Sequence, residues 1–141
     1  MGKPASQESP RSAESRRMIV YTFHLEGKVV PYTRRTFKGK YSDAAKRYHA
    51  SQNAIGWQYK IQLREFDWPM MPTQTPLFLE VDYQVPERIH TFDFDNVLKA
   101  LSDAAQGIVF KNDLWVDELH ATRRLGSDYR ATISIGTKGD K

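Results

Sequence analysis

Residues 93–107 read DFDNVLKALSDAAQG, and this stretch decides the fold because it places one amphipathic helix in the second half of the chain. Its apolar side chains recur at the spacing of a single helical face: Val97, Leu98, Leu101, Ala104 and Ala105. Gly107 follows as a residue that ends helices readily. The sequence therefore predicts a short helix that packs on its apolar face and stops at Gly107.

Strand-like segments lie on both sides of this helix. Residues 77–84 alternate apolar and polar side chains, and residues 18–25 are rich in β-branched and aromatic side chains. After the helix, residues 115–122 and 129–135 also favour strands, with Gly-Ser-Asp at 126–128 between them. We therefore expect four strands, the last two paired as a hairpin.

A second, longer helix is indicated after Ser42 and Asp43, which together favour a helix start. We expect about 20 residues of helix, with Gly56 weakening it midway. Its predicted apolar face consists of Ala44, Ala45, Tyr48, Ile55, Tyr59 and Leu63.

Length and composition limit the classes of protein. The chain has 141 residues, which suits one domain, and its lack of cysteine excludes disulfide scaffolds, thiolate metal sites and a cysteine nucleophile. No apolar run approaches the roughly 20 residues that cross a bilayer, and no signal peptide is evident, so we expect a cytoplasmic protein without membrane contact. Residues 1–17 are predicted to be a disordered tail, 18–136 the domain, and 137–141 a frayed end.

Charge is unevenly distributed along the chain. Its 21 Lys and Arg exceed its 17 Asp and Glu for a net charge of +4, while residues 28–47 hold seven basic residues and one acid. A basic block of this kind attracts polyanions, most commonly nucleic acid. A solvated loop in a mildly basic protein explains the block about as well.

Three aspartates suggest a site for a divalent cation. Asp93 and Asp95 point the same way if the helix start is extended, and Asp113 follows eighteen residues after Asp95. Mg²⁺ is typically held by one or two carboxylates with water and substrate phosphate, so such a group beside a basic surface suits phosphodiester chemistry. The alternative is structural and commoner: Asp95 as an N-cap, Asp93 in a turn, Asp113 in an Asn-Asp turn.

Basic side chains near these acids also allow two interpretations. Lys99 shares a helical face with Asp95 and Asp103, which gives either a surface ion-pair ladder or a lysine that stabilises charge in a phosphoryl-transfer transition state. Arg123 and Arg124 are candidates for phosphate binding or plain surface charge. His90 and His120 are more often structural than catalytic in such a setting.

The order of these motifs resembles the RusA family of Holliday junction resolvases. The family pattern D-x-D-N-x-x-K matches residues 93–99, the next family aspartate matches Asp103, and the acidic step matches residues 112–113. Residues 27–31, followed by two arginines, look like the family's amino-terminal G-x-x-x-P segment, and residues 41–43 match the start of its first long helix. The resemblance spans roughly residues 19–124.

The resemblance implies a small single α+β domain, a mixed β-sheet packed by two main helices. It also implies a homodimeric, Mg²⁺-dependent endonuclease, with Mn²⁺ able to substitute, common in phages and prophages. Such enzymes cut four-way DNA junctions by paired symmetric nicks in recombination and repair. By likeness, Asp93, Asp95 and Asp113 bind metal and Lys99 is the catalytic lysine. The basic residues assigned to DNA are Arg34, Arg35, Lys38, Lys40, Arg88 and Arg123.

Some positions depart from the family pattern. Trp115 stands where many members have Gln, and Asn112 in the acidic step leaves Asp117 open as the third ligand. The basic run that precedes the motif in some members is reduced to Arg88. A non-cleaving DNA-binding protein is the competing hypothesis. Three clustered carboxylates repel phosphate unless a cation intervenes, which favours the nuclease.

Overall fold

The computed structural model describes residues 18–31, 42–87 and 94–138. A four-stranded mixed sheet carries two helices on one face, which confirms the expected α+β domain. In chain order the elements are β1 (Val20–Glu26), α1 (Asp43–Glu65), β2 (Leu77–Val85), α2 (Phe94–Ala105), β3 (Val116–Leu125) and β4 (Arg130–Thr137). No helix in these described ranges combines the length and apolar character needed to cross a bilayer.

The predicted hairpin between the last two strands is wrong, because β2 lies between β3 and β4 in the sheet order β1-β4-β2-β3. β2 pairs in parallel with β3 and antiparallel with β4, so β3 ends and β4 begins at the same end of the sheet. The connection from β3 to β4 crosses the end of β2 over two strand spacings, about 10 Å, which residues 126–129 can span. The Gly-Ser-Asp signal predicts the reversal of the chain but not the neighbouring strand.

β4 extends further than the sequence predicts. Thr137, assigned to a frayed end, is buried as the last residue of the strand. Its N–H donates to the Ile19 carbonyl at 2.9 Å, and the Ile19 N–H donates to its hydroxyl at 3.0 Å. The Lys138 N–H also donates to the Pro76 carbonyl. Expected fraying therefore does not hold at Thr137, and residues 139–141 lie outside the described ranges.

The helix predicted after Ser42 is confirmed as α1, which is 23 residues long. The Ser42 hydroxyl accepts a hydrogen bond from the Ala45 N–H at 3.1 Å, as an N-cap should. Further along, Gln58 and Gln62 exchange hydrogen bonds with the backbone of Glu26 and His24. These two glutamines occupy the outer edge of β1 at His24 and Glu26, so this half of the edge is closed to another strand.

Contacts with α1 hold α2 in place. Gly56 permits a close approach, since a Cβ there would lie 3.2 Å from Ile108. The buried Tyr59 hydroxyl donates to the Leu101 carbonyl at 3.0 Å, and the Gln52 amide donates to the Ala100 carbonyl at 3.0 Å. Gly107 ends the helical segment with φ +85°, as predicted. The face of α2 turned away from α1 is thereby fixed relative to the sheet.

The core lies between the helices and one face of the sheet. Alternate side chains of β1, β2 and β4 are buried there, including Phe23, Leu79, Val81 and Ile133. Leu98 is an exception among the predicted apolar residues of α2, because it is only half-buried and lines a pocket. That pocket contains several of the predicted site residues.

Candidate active site

A pocket of about 260 Å³ lies between α2 and the beginning of β3, and we call it the carboxylate pocket. Its apolar side chains come from the sheet and from Leu98, and its polar side chains come mainly from α2. Four of the polar side chains are the predicted residues Asp95, Lys99, Asp103 and Asp113. The complete lining is Leu79, Asp95, Leu98, Lys99, Ser102, Asp103, Asp113, Val116 and Leu119.

Asp113 is positioned by a 3₁₀ turn, Asp113–Trp115, directly before β3. The Asn112 side chain caps this turn by accepting from the Leu114 N–H at 2.8 Å, and the Gln106 side chain accepts from the Asp113 N–H at 2.9 Å. The Asn-Asp turn expected as an alternative is thus present, but Asn112 performs the capping. The carboxylate of Asp113 has no partner among the described residues and lines the pocket.

Asp95 lies inside the first turn of α2, which begins at Phe94. The alternative in which Asp95 is the N-cap is therefore wrong. The extended backbone considered for the entry to this helix does not include Asp95, which is already helical. Its exposed carboxylate has no hydrogen bond or ion pair to any described residue. A carboxylate in the first turn also benefits from the partial positive charge at the helix amino terminus. Asp93 lies outside the described residues.

Lys99 and Asp103 form an ion pair along α2, with Nζ and Oδ2 separated by 3.5 Å. The predicted i, i+4 geometry is therefore present, and both side chains line the same pocket as Asp95 and Asp113. A cationic group beside two carboxylates can neutralise charge when a phosphate enters. The pocket therefore combines oxygen ligands with an ammonium donor.

Carboxylates of this kind suit a hard divalent cation. Asp95 and Asp113 line one pocket with carboxylate oxygens that no other described residue contacts by a hydrogen bond or ion pair, whereas Asp117 is exposed and does not line it. The described residues contain no group of three or more His, Cys, Asp or Glu side chains arranged around a common metal position. Mg²⁺ commonly needs only one or two protein carboxylates, with water and phosphate completing its shell. The carboxylate oxygens of Asp95 and Asp113 are therefore ligands of the type that Mg²⁺ prefers.

Arg123 and Arg124 have different surroundings. The guanidinium carbon of Arg123 lies 4.9 Å from the centre of the Phe94 ring, and its Nη1 is buried without a partner among the described residues. Phe94 also stacks with Tyr83 at 6.4 Å. Arg124 instead points its Nε at both carboxylate oxygens of Asp82, each at 3.0 Å. Arg123 thus stands beside the start of α2, while Arg124 is paired on the open face of the sheet.

The other predicted residues lie apart from the pocket or outside the described ranges. His120 is exposed on the open face of the sheet, with Nε2 3.9 Å from Glu118. The residues outside the described ranges are His90 and the basic residues Arg34, Arg35, Lys38, Lys40 and Arg88.

A second pocket, of about 290 Å³, was missed by the sequence reasoning. We call it the Trp115 pocket; it is lined by Pro72, Thr73, Gln74, Leu77, Lys111, Asn112 and Trp115. The signal for it was Trp115 itself, two residues after an acidic position and different from the usual family residue. No local pattern indicates that residues 72–77 come to the same place.

A family comparison agrees with the motif order. A family model described as endodeoxyribonuclease RusA matches residues 26–136. This range includes every residue predicted to bind metal, contact DNA or take part in catalysis. No curated protein matches the chain.

Proposed function

The chain belongs to the RusA family of endodeoxyribonucleases and is a Holliday junction resolvase, and from that premise we propose how it recognises and cuts its substrate. We infer a Mg²⁺-dependent enzyme that makes paired symmetric nicks in four-way junctions during DNA recombination and repair. Such junctions arise on DNA in the cytoplasm of a bacterial or phage-infected cell, which is where we place its action.

One observation supports the chemistry above all others: Asp95 and Asp113, from two separate elements, present to one pocket carboxylates that have no partner among the described residues. Carboxylates next to a DNA phosphate repel it unless a cation lies between them. We propose that Asp95 and Asp113, with Asp93, hold Mg²⁺, with Mn²⁺ able to substitute. When bound, the ion polarises the scissile phosphate and activates water for hydrolysis.

Lys99 is proposed as the catalytic lysine. Its ammonium lies in the same pocket as both carboxylates and is held near Asp103. In phosphodiester hydrolysis negative charge grows on the phosphoryl and leaving oxygens, and a positioned cation stabilises it. Asp103 is proposed as a positioning residue that keeps the Lys99 side chain on the pocket side of α2.

Six basic residues from separate parts of the chain are proposed to bind the DNA backbone. Arg34, Arg35, Lys38, Lys40 and Arg88 belong to this set by sequence, together with Arg123. Arg123 is supported by its place beside the start of α2 and by an Nη1 atom with no partner among the described residues. Phosphate contacts of this kind position the duplex without reading its sequence.

We propose a two-fold dimer as the active unit, formed through β3. Within the described sheet β3 is an edge strand, and Leu119 and Leu125 are about half exposed on it. The opposite edge is occupied by Gln58 and Gln62 over half of its length, at His24 and Glu26. Two copies of β3 can pair antiparallel in an isologous interface, which gives a second pocket related by two-fold symmetry. A junction with approximate two-fold symmetry would then meet two equivalent sites.

The test uses labelled four-way junction and matched linear duplex, each incubated with Mg²⁺ or with EDTA. Cutting of the junction alone, and only with Mg²⁺, is expected. Equal cutting in EDTA would remove the metal from the proposal. Junction binding without cleavage under any divalent cation would support the non-cleaving DNA-binding protein instead.

A further inference from the structure

Two apolar side chains are exposed immediately after Asp113. Leu114 is 80% exposed and Trp115 is 39% exposed, although both belong to the short turn that positions the carboxylate. Tryptophan at a protein surface is frequently a binding residue, because its ring offers a large rigid contact area. Contact with the backbone of a regular duplex requires cations and hydrogen-bond donors rather than apolar side chains.

The Trp115 pocket has the composition of a site for a planar, partly polar ligand. Pro72, Leu77 and Trp115 supply apolar walls, and the remaining lining is polar. Its volume of about 290 Å³ falls just below the roughly 300 Å³ at which pockets for drug-sized molecules begin. One heteroaromatic ring suits this space better than a complete nucleotide.

Lys111 and Asn112 provide polar groups at this pocket. Lys111 makes no hydrogen bond or ion pair with any residue in the described ranges, and it lines the pocket with its charge unneutralised. The Asn112 side-chain oxygen caps the turn, so its amide nitrogen remains a donor. Donors and a cation beside an aromatic wall match the acceptor atoms on the edge of a nucleobase.

The two pockets are neighbours on the same strand and the same turn. Leu77 lines the Trp115 pocket and Leu79 the carboxylate pocket, while Asp113 and Trp115, which belong to one turn, line the carboxylate pocket and the Trp115 pocket respectively. A phosphate held at Asp113 would therefore bring the base of a neighbouring nucleotide within reach of Trp115.

We propose that the Trp115 pocket binds an unpaired nucleobase next to the scissile phosphate, with the base stacked on the Trp115 ring. This inference rests on the proposed nuclease function. Bases in a stacked duplex do not expose a face to a side chain, whereas strands that exchange at a junction can release a base from its stack. The pocket thereby adds a reason for the enzyme to prefer junctions over duplex.

The experiment measures binding and base environment rather than cutting. The fluorescent base 2-aminopurine is placed at successive positions around the crossover of a four-way junction. Binding by the Asp95→Asn protein is then followed by fluorescence and by titration. Stacking on Trp115 is expected to quench one position next to the cut site. Trp115→Leu, introduced into the same protein, keeps an apolar wall but removes the ring, so the quenching should disappear.

Affinity provides the second measurement. Removal of one base–aromatic stack is expected to weaken junction binding about tenfold to a hundredfold. Affinity for linear duplex should stay unchanged, and Trp115→Phe should retain most of both signals. Trp57→Ala is the matched control, because Trp57 is also a surface tryptophan but belongs to α1 and lines neither of the two pockets.

Unchanged quenching and unchanged junction affinity in Trp115→Leu would overturn the inference. Equal weakening on junction and duplex would overturn it as well, since it would make Trp115 a general DNA-binding residue. Failure of the proposed function is seen separately, as absence of Mg²⁺-dependent cutting by the unsubstituted enzyme.

Discussion

The ammonium of Lys99 lies 3.5 Å from the carboxylate of Asp103 one turn further along α2, on the surface that faces Asp113. The Lys99 side chain is 47% exposed and that of Asp103 27% exposed. Ion pairs this accessible to water contribute about 0–1 kcal/mol to folding stability, so stability alone is a weak reason for the pair. Orientation of the ammonium toward the pocket is the stronger consequence.

Lys99→Ala should therefore lower kcat by about 10²- to 10³-fold, because it removes an electrostatic interaction with the transition state. Junction affinity should change little, since most interactions with the ground-state phosphates remain. Single-turnover cleavage at saturating enzyme measures this directly. Recovery of the full rate at saturation would make Lys99 a binding residue. Asp103→Asn should give a smaller decrease in kcat, with thermal stability nearly unchanged.

Replacing the carboxylates tests the proposed metal ligands. Asp93→Asn, Asp95→Asn and Asp113→Asn should each abolish cleavage and leave junction binding equal or tighter, because a metal ligand and a repulsive charge are removed together. Asp117→Asn is the matched control from the same segment and should cut normally. If Asp117→Asn were inactive and Asp113→Asn active, the third ligand would be Asp117.

The elements and their buried faces were predictable because they depend on local patterns. Ser42 as a helix cap, the alternation along β2 and the stop at Gly107 all follow from residues close in sequence. The position of β2 between β3 and β4 could not be predicted in this way. Leu125 ends β3 and Tyr129 precedes β4, but neither residue indicates which strand pairs with its own. Sheet order is set by long-range packing of the whole apolar face.

The candidate site was likewise predictable from the sequence only in part. Asp95, Lys99 and Asp103 share a helix, so their common face could be read from the sequence. Asp113 could be named as a candidate from the sequence, but only the family resemblance indicated that it joins them, since its place opposite α2 depends on the path of residues 106–113. The Trp115 pocket was not predictable, because its other wall comes from residues 72–77, far from Trp115 in the chain.

The basic block should determine how DNA binding responds to salt. Removing one interaction with a phosphate reduces the slope of log K against log salt by about 0.9. The Arg34→Ala, Arg35→Ala double variant should thus have a slope lower by about 1.8, measured on a four-way junction between low and moderate salt. Lys138→Ala serves as a control, because Lys138 is paired with Glu118 at 3.2 Å. An unchanged slope in the double variant would mean that other residues bind the DNA backbone.

Tyr59 should make the protein sensitive to alkaline pH. Its hydroxyl is fully buried and bonded to the Leu101 carbonyl, and burial raises the pKa of Tyr59 far above its usual value near 10. Only the unfolded chain ionises this tyrosine once pH passes about 10, so stability is complete below that pH and falls as pH rises above it. Tyr59→Phe should cost about 1 kcal/mol at neutral pH and flatten this decline, as measured by urea unfolding from pH 7 to 11. An equally steep decline in Tyr59→Phe would assign the effect to other groups, such as Tyr21 and Tyr83, whose pKa values burial also raises.

The dimer proposed through β3 predicts a specific sensitivity at Leu125. Leu125→Glu places charge in the paired strands and should shift the protein to monomer in sedimentation velocity. Ile61→Glu is the matched control, because Ile61 is similarly exposed but lies on α1. Dissociation by Ile61→Glu, with Leu125→Glu still dimeric, would move the interface to the helix.

The two-fold symmetry of the proposed dimer predicts the product formed when one subunit is inactive. Each chain supplies one proposed cluster of Asp93, Asp95 and Asp113, so two opposed strands are cut within one complex only if both subunits are active. Mixed dimers with one Asp95→Asn subunit should bind junctions normally but leave nicked product during the lifetime of the complex. A supercoiled plasmid with an extruded cruciform distinguishes the outcomes, since one nick gives an open circle and two opposed nicks give a linear molecule. Linear product formed by mixed dimers as fast as by the unsubstituted enzyme would contradict the symmetric two-site mechanism.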